Sequence, residues 1–135
     1  MKLIVTVDLQ REVLENIFVT AIEGGSNYWC RITDEGRKAV RTVVPKSEDV
    51  CFSTALFKAV YDHGIAVPVY DAETEGEEDD ESIGEISMKS MQDRLQNLLN
   101  GPNKDDLMAE IDENGDANSS DVVFQHIALG EVVYG

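Results

Sequence analysis

The stretch from Leu9 to Trp29 constrains this chain most. Val13, Leu14, Ile17, Phe18, Ala21 and Ile22 recur at i, i+1, i+4, i+5, i+8 and i+9, which is one apolar stripe on a 3.6-residue helix. Gly24-Gly25 follows, and either glycine can take the left-handed conformation that closes a last helical turn. Tyr28-Trp29-Cys30 then opens a strand whose large indole can cover the stripe just made. The spacing reads as a folding nucleus, a helix and a stop and a strand, and not as an active site.

At 135 residues the chain is expected to form one domain, residues 1–135, large enough to bury a core without metal or disulfide staples. Cys30 and Cys51 have no CxxC spacing and no further partners, so they read as buried free thiols of a reducing cytoplasm. No charged-then-apolar leader and no bilayer-length apolar run is visible, and a soluble, cytoplasmic protein is expected. The charge balance is the composition's strongest statement: 27 acids stand against 11 Lys and Arg, a net charge of −16. That excess opposes direct nucleic-acid or anionic-membrane binding and favours a basic protein partner.

Along the chain, Lys2 to Val7 is a β-branched strand with Asp8 placed to cap the helix after it. Tyr28 to Ile32 and Ala39 to Val44 read as a hairpin around the turn Thr33-Asp-Glu-Gly36. Ser47, with Glu48 and Asp49, starts a helix carrying Phe52, Ala55, Leu56, Ala59 and Val60 and ending at Gly64. Ile65 to Tyr70 is a strand that Pro68 places at or near a sheet edge. Ser82 to Ile86 is another, joined to it by the acidic loop 71–82, in which Asp71 to Glu81 has eight acids in eleven residues.

Ser87 caps a helix with Met88, Met91, Leu95, Leu98 and Leu99 on one side, and Asn100-Gly101-Pro102 stops it. The polar acidic segment 100–120 holds at most a helical turn at Leu107 to Ile111. A helix with Val123, Phe124, Ile127 and Ala128 follows, capped by Ser119 or Ser120, before a terminal strand from Glu131 to Tyr134. The predicted fold class is therefore α+β, an antiparallel or mixed sheet of about four to five strands with three to four helices packed mainly on one face.

Signatures of chemistry are weak. Asp112-Glu-Asn-Gly-Asp resembles a calcium loop, but its glycine falls fourth instead of sixth and Val123 stands where a bidentate Glu is needed. The glycine pair precedes a strand, whereas phosphate loops follow one. His63 and His126 lack metal-ligand spacing, and no nucleophile elbow surrounds any Ser or Cys. No catalytic residue, metal or cofactor is expected, and an enzyme is the weaker class.

Two groups of residues remain as candidate sites. Glu73, Glu75, Glu77, Glu78, Asp79, Asp80 and Glu81 form an acidic partner-binding surface, to which Asp105 to Asp121 adds seven acids with no Lys or Arg after Lys104. Asn27, Tyr28, Trp29 and Arg31 form a possible ligand or interface patch, with Arg37, Lys38 and Arg41 as further cations for a nucleotide-like ligand.

Ala21-Ile-Glu-Gly-Gly-Ser-Asn-Tyr-Trp-Cys30 and Asp121-Val-Val-Phe-Gln-His-Ile-Ala-Leu-Gly-Glu-Val-Val-Tyr-Gly135 are similar to the two ends of a group of small, uncharacterised phage and prophage proteins. The resemblance covers about a third of the chain by motif. It implies a phage or mobile-element gene expressed in a bacterial cytoplasm and accessory to replication, and it brings no catalytic residues. It implies structural roles for Gly24, Gly25, Trp29, Gly130 and Tyr134, an exposed Asn27-Tyr28-Trp29 edge being the exception. The leading expectation is a non-enzymatic acidic accessory protein that binds a host nucleic-acid-handling or defence enzyme, by nucleic-acid mimicry among other routes. A small-ligand or nucleotide sponge, homo-oligomeric or not, and a phage structural or assembly component are the alternatives.

Overall fold

The computed structural model describes residues 1–74 and 81–135. Helix α1 (Arg11–Thr20) runs into a π-helical turn (Ala21–Gly25), then come strand β1 (Cys30–Arg31), α2 (Asp34–Val43) and α3 (Phe52–Tyr61). Strands β2 (Val67–Asp71) and β3 (Gly84–Ile86) precede α4 (Met88–Leu99), α5 (Lys104–Ile111) and α6 (Ala117–Leu129). The protein is mostly helical. Six α-helices among the described residues surround one sheet of three short antiparallel strands, in the order β1-β2-β3, which overturns the α+β sheet of four to five strands.

The sheet is smaller than expected because of three segments, and α5 is a full helix where the sequence predicts at most a turn at Leu107 to Ile111. The hairpin expected over 28–44 is replaced by α2, because Thr33 accepts a cap bond from the Gly36 amide at 3.1 Å while Asp34 and Glu35 occupy the positive end of the helix. Gly36, Val40 and Val44, spaced by four, are its buried face. Residues 2–7 form no strand, and Leu3 and Ile4 stand 81% and 95% exposed. Glu131 to Tyr134 forms none either, since the Val133 and Tyr134 amides donate to the Gln125 side-chain carbonyl at 2.9 Å each.

Helix starts also move. Cys51, not Ser47, precedes α3, and Asp116 caps α6 through a reciprocal pair of bonds with Ser119. Neither glycine of the Gly24-Gly25 pair adopts the left-handed conformation; Gly24 has φ 176°. The Ser26 amide instead reaches back to the Ala21 carbonyl at 2.9 Å. Gly25 lies where a Cβ would come 3.0 Å from the Ala117 carbonyl oxygen, so its lack of a side chain lets the start of α6 approach.

Strand β2 is central, with Val67 opposite Ile86 and Tyr70 opposite Arg31. Pro68 is therefore not on an edge strand, yet β1 pairs only with Tyr70 and Asp71, so the missing N–H of Pro68 faces no ladder. The core gathers on α6, which packs against α1, α4, α5 and β3. Val123, Phe124, Ile127 and Ala128 are fully buried there. The Phe18 ring meets Phe57 and Phe124 edge-on at 5.4 Å each, joining α1, α3 and α6 in one aromatic cluster.

Candidate functional site

Asp121, in the second turn of α6, is only 6% exposed. A buried carboxylate is costly unless its oxygens are satisfied, and here neutral donors do so. Oδ1 accepts from the Ser26 hydroxyl and the Trp29 indole N–H at 2.7 Å each. Oδ2 accepts from the Tyr28 hydroxyl at 2.5 Å and the Gln125 amide at 3.1 Å.

Gln125 extends this network. Its side-chain nitrogen also donates to the Tyr134 carbonyl at 2.9 Å, while its oxygen takes the two amides noted above. The Tyr134 ring then stacks on Trp29, centroids 5.4 Å apart and planes 7° from parallel, and its hydroxyl donates to Asp71 at 3.3 Å. Burial, then the bond to Asp121, pushes the Tyr28 phenol up to about 12. Burial, with Asp121 adding to it, does the same to the Cys30 thiol, also to about 12.

These contacts divide the patch Asn27, Tyr28, Trp29 and Arg31. Trp29 is buried at 1% exposure and Tyr28 spends its hydroxyl on Asp121, although the residue is half exposed. Asn27 and Arg31 belong to a different feature, a cavity of about 630 Å³ beside β1 and the start of α2, which Arg37, Asp34 and Glu35 also line. The Arg31 guanidinium lies over the Tyr70 ring at 5.4 Å and that of Arg37 over Phe52 at 4.2 Å. Arg41 turns away and donates to the Val50 carbonyl at 3.0 Å.

Glu73 and Glu81 are exposed, while Glu75, Glu77, Glu78, Asp79 and Asp80 lie outside the described residues. The second acidic segment is well placed for a surface, with Asp121 as the exception, since it is interior. Asp105, Asp112, Glu113 and Asp116 are exposed around α5 and the turn into α6. The carboxyl of Asp106 is held above its usual range by partial burial and then by the like charges of Asp105, Asp116 and Glu110. Glu110 accepts from the Ser119 and Ser120 hydroxyls at 2.7 and 2.6 Å, and it forms, with Glu113 and Asp116, one wall of a cavity of about 370 Å³ against α1.

The cysteines do not share one environment. Cys30 is largely covered, but Cys51 is exposed, contrary to the expectation of two buried thiols, and the Ser53 and Thr54 hydroxyls hold its thiol below its usual value. Both ring nitrogens of His126 are buried without a hydrogen-bond partner among the described residues, and burial pushes its pKa down. Among the described residues no group of three His, Cys, Asp or Glu side chains is placed to hold a metal ion, and no helix is long and apolar enough to cross a membrane.

Asp121, Gln125 and Ser26 are the residues that sequence reasoning missed. A signal existed: Asp121 and Gln125 sit at i and i+4 on a helix with Val122, Val123 and Phe124 between them, which places two polar groups beside a core face. Compared with protein-family models, with curated proteins and with solved structures, the chain matches none of them.

Proposed function

We propose that this is a non-enzymatic protein that binds a basic protein partner through its carboxylates. The observation that carries the reading is the crowding around Asp106, whose ionisation is opposed by partial burial first and then by the neighbouring charges of Asp105, Asp116 and Glu110. Like charges held together on a folded surface cost stability, and a cationic partner would relieve that cost while being steered to it. Among the described residues, Arg11 and Lys58 form ion pairs away from this cluster, with Asp62 and Glu48. In the setting that the phage resemblance implies, the partner is a host nucleic-acid-handling or defence enzyme, and rows of carboxylates would stand in for phosphates in its basic channel.

The test is an affinity pull-down from bacterial lysate at low and high salt, repeated with Asp105→Asn, Asp112→Asn and Glu113→Gln combined. A basic protein captured at low salt and lost in the variant is expected. Capture that is indifferent to both salt and the substitutions would sink the charge mechanism.

The cavity beside β1 favours a second reading, a small anionic ligand held by Arg31 and Arg37, with Asp34 and Glu35 restricting which anions fit. A nucleotide panel in a thermal-shift assay tests it, since a ligand at a hundredfold its dissociation constant adds about 2.7 kcal/mol. No shift across the panel would remove this reading.

A further inference from the structure

Residues 1–7, Met-Lys-Leu-Ile-Val-Thr-Val, contain no acid and have the β-branched composition of a strand, yet no strand of the described structure pairs with them. Val7 and Leu9 pack against the core, while Leu3, Ile4 and Val5 remain 81%, 95% and 52% exposed. A strand-prone apolar segment left without a ladder is a template for pairing with another chain.

Beside it lies a groove of about 580 Å³ with this segment as one wall. The opposite walls are Met88, Met91, Leu95 and Leu99 of α4 and Leu107 and Ile111 of α5. Helix α4 thus has two apolar aspects, Leu98 fully buried in the core and the Met88 side along the groove, where Met88 is still 40% exposed. No lining residue of this groove is charged. The cavities beside α5 and β1, by contrast, carry carboxylates in their walls.

We propose that residues 2–7 and this groove form the two-fold interface of a homodimer. The two segments pair antiparallel with each other, and the exposed side chain of Leu3 from each copy enters the groove of the other, while Ile4, on the opposite face of the strand, stays against its own groove. A strand-prone segment that pairs with no strand among the described residues and an apolar groove occur on the same chain, and a two-fold exchange satisfies both in each copy at once. Charge selects the same surface. Two chains of net charge −16 repel most where carboxylates face each other, and here the approaching residues are uncharged apart from Lys2. Met88, at the groove mouth, suits it to side chains entering from outside.

The experiment is light scattering on the full chain during size exclusion, over a concentration series reaching the high micromolar range. The expected mass is twice the 14.9 kDa of one chain. Leu3→Glu with Ile4→Glu, on the segment, and Met88→Glu, on the exposed groove mouth, should each return the single-chain mass with an unchanged circular dichroism spectrum. Val133→Glu, at an apolar site 56% exposed and outside the groove, adds the same charge as Met88→Glu and should remain dimeric. A single-chain mass for the unsubstituted protein at every concentration overturns the proposal, whether the segment then folds into its own groove or meets a different protein. So does a dimer that survives both groups of substitutions, or one that Val133→Glu abolishes equally.

Discussion

The indole N–H of Trp29 donates to the carboxylate of Asp121 at 2.7 Å, joining the turn after α1 to a helix that begins almost ninety residues later. Because the Ser26 hydroxyl shares the same oxygen, Asp121→Ala would leave buried donors without an acceptor. Each such orphan costs about 1–3 kcal/mol, so a loss of about 3 kcal/mol or more in urea denaturation is expected. Asp121→Asn, which keeps one acceptor oxygen and turns an amide toward the other donors, should fall between. A double-mutant cycle of Asp121→Ala with Trp29→Phe should show coupling of about 1 kcal/mol or more. Additive effects would mean that the indole and the carboxylate do not depend on each other.

Alkaline pH should weaken the fold through the same network. The Tyr28 phenol and the Cys30 thiol are pushed up to about 12 from ordinary values of 10.0 and 9.0. The folded state therefore favours their neutral forms, and the stability this gives is complete below about pH 9 and lost as pH rises toward 12. Denaturation midpoints should decline across that window, and phenolate absorbance should show a late-titrating tyrosine that disappears in Tyr28→Phe. Tyr134, raised by burial and by Asp71, should persist as the remaining late group. A midpoint that is flat to pH 12 would contradict the buried, neutral state of these groups.

Asp106 should behave in the opposite sense to an ordinary stabilising carboxylate. Its folded pKa is raised, by burial first and then by Asp105, Asp116 and Glu110. The protonated form is thus the one the fold prefers, and its contribution is lost as pH rises through the folded pKa. Asp106→Asn should melt at a higher temperature than the unsubstituted protein at neutral pH, with the difference vanishing below about pH 4, near the ordinary Asp value. A variant melting lower at neutral pH would show that Asp106 makes a favourable ionic contact instead.

Periodicity made α1, α3, α4 and α6 legible, because their apolar residues recur at helical spacing whatever surrounds them. It failed at residues 34–43, where Val40, Val43 and Val44 suggest a strand but Thr33, Asp34 and Glu35 supply a cap and a favourable dipole; local electrostatics outweighed β-propensity. The end of the chain was misread for a different reason. Glu131 to Tyr134 has strand composition, yet its backbone is taken by one distant side chain, Gln125, and no pattern within those residues announces that. Asp121 was counted with its acidic neighbours because a charge total carries no depth. Its burial depends on Ser26, Tyr28 and Trp29 arriving from the other end of the sequence.

The contact between β3 and the end of α6 should be the least tolerant of added volume. A Cβ on Gly84 would lie 2.2 Å from the Ala128 carbonyl oxygen and 2.8 Å from a Leu129 methyl carbon, and the obstructing backbone belongs to a helix that cannot shift alone. Arg94 holds the same junction from α4, donating to the Ile127 carbonyl at 2.8 Å and the Glu85 carbonyl at 3.1 Å. Gly84→Ala should therefore separate strand from helix and cost about 1–3 kcal/mol, the range for overpacking a filled interior. Hydrogen exchange would locate the damage, because the Ile83 amide, bonded to the Val69 carbonyl at 2.8 Å, should lose protection before the amides of α1 and α3. A variant with an unaltered denaturation midpoint and unaltered Ile83 protection would mean that β3 does not rest on α6, and that the sheet is held to the helices through β1 and the Trp29 turn alone.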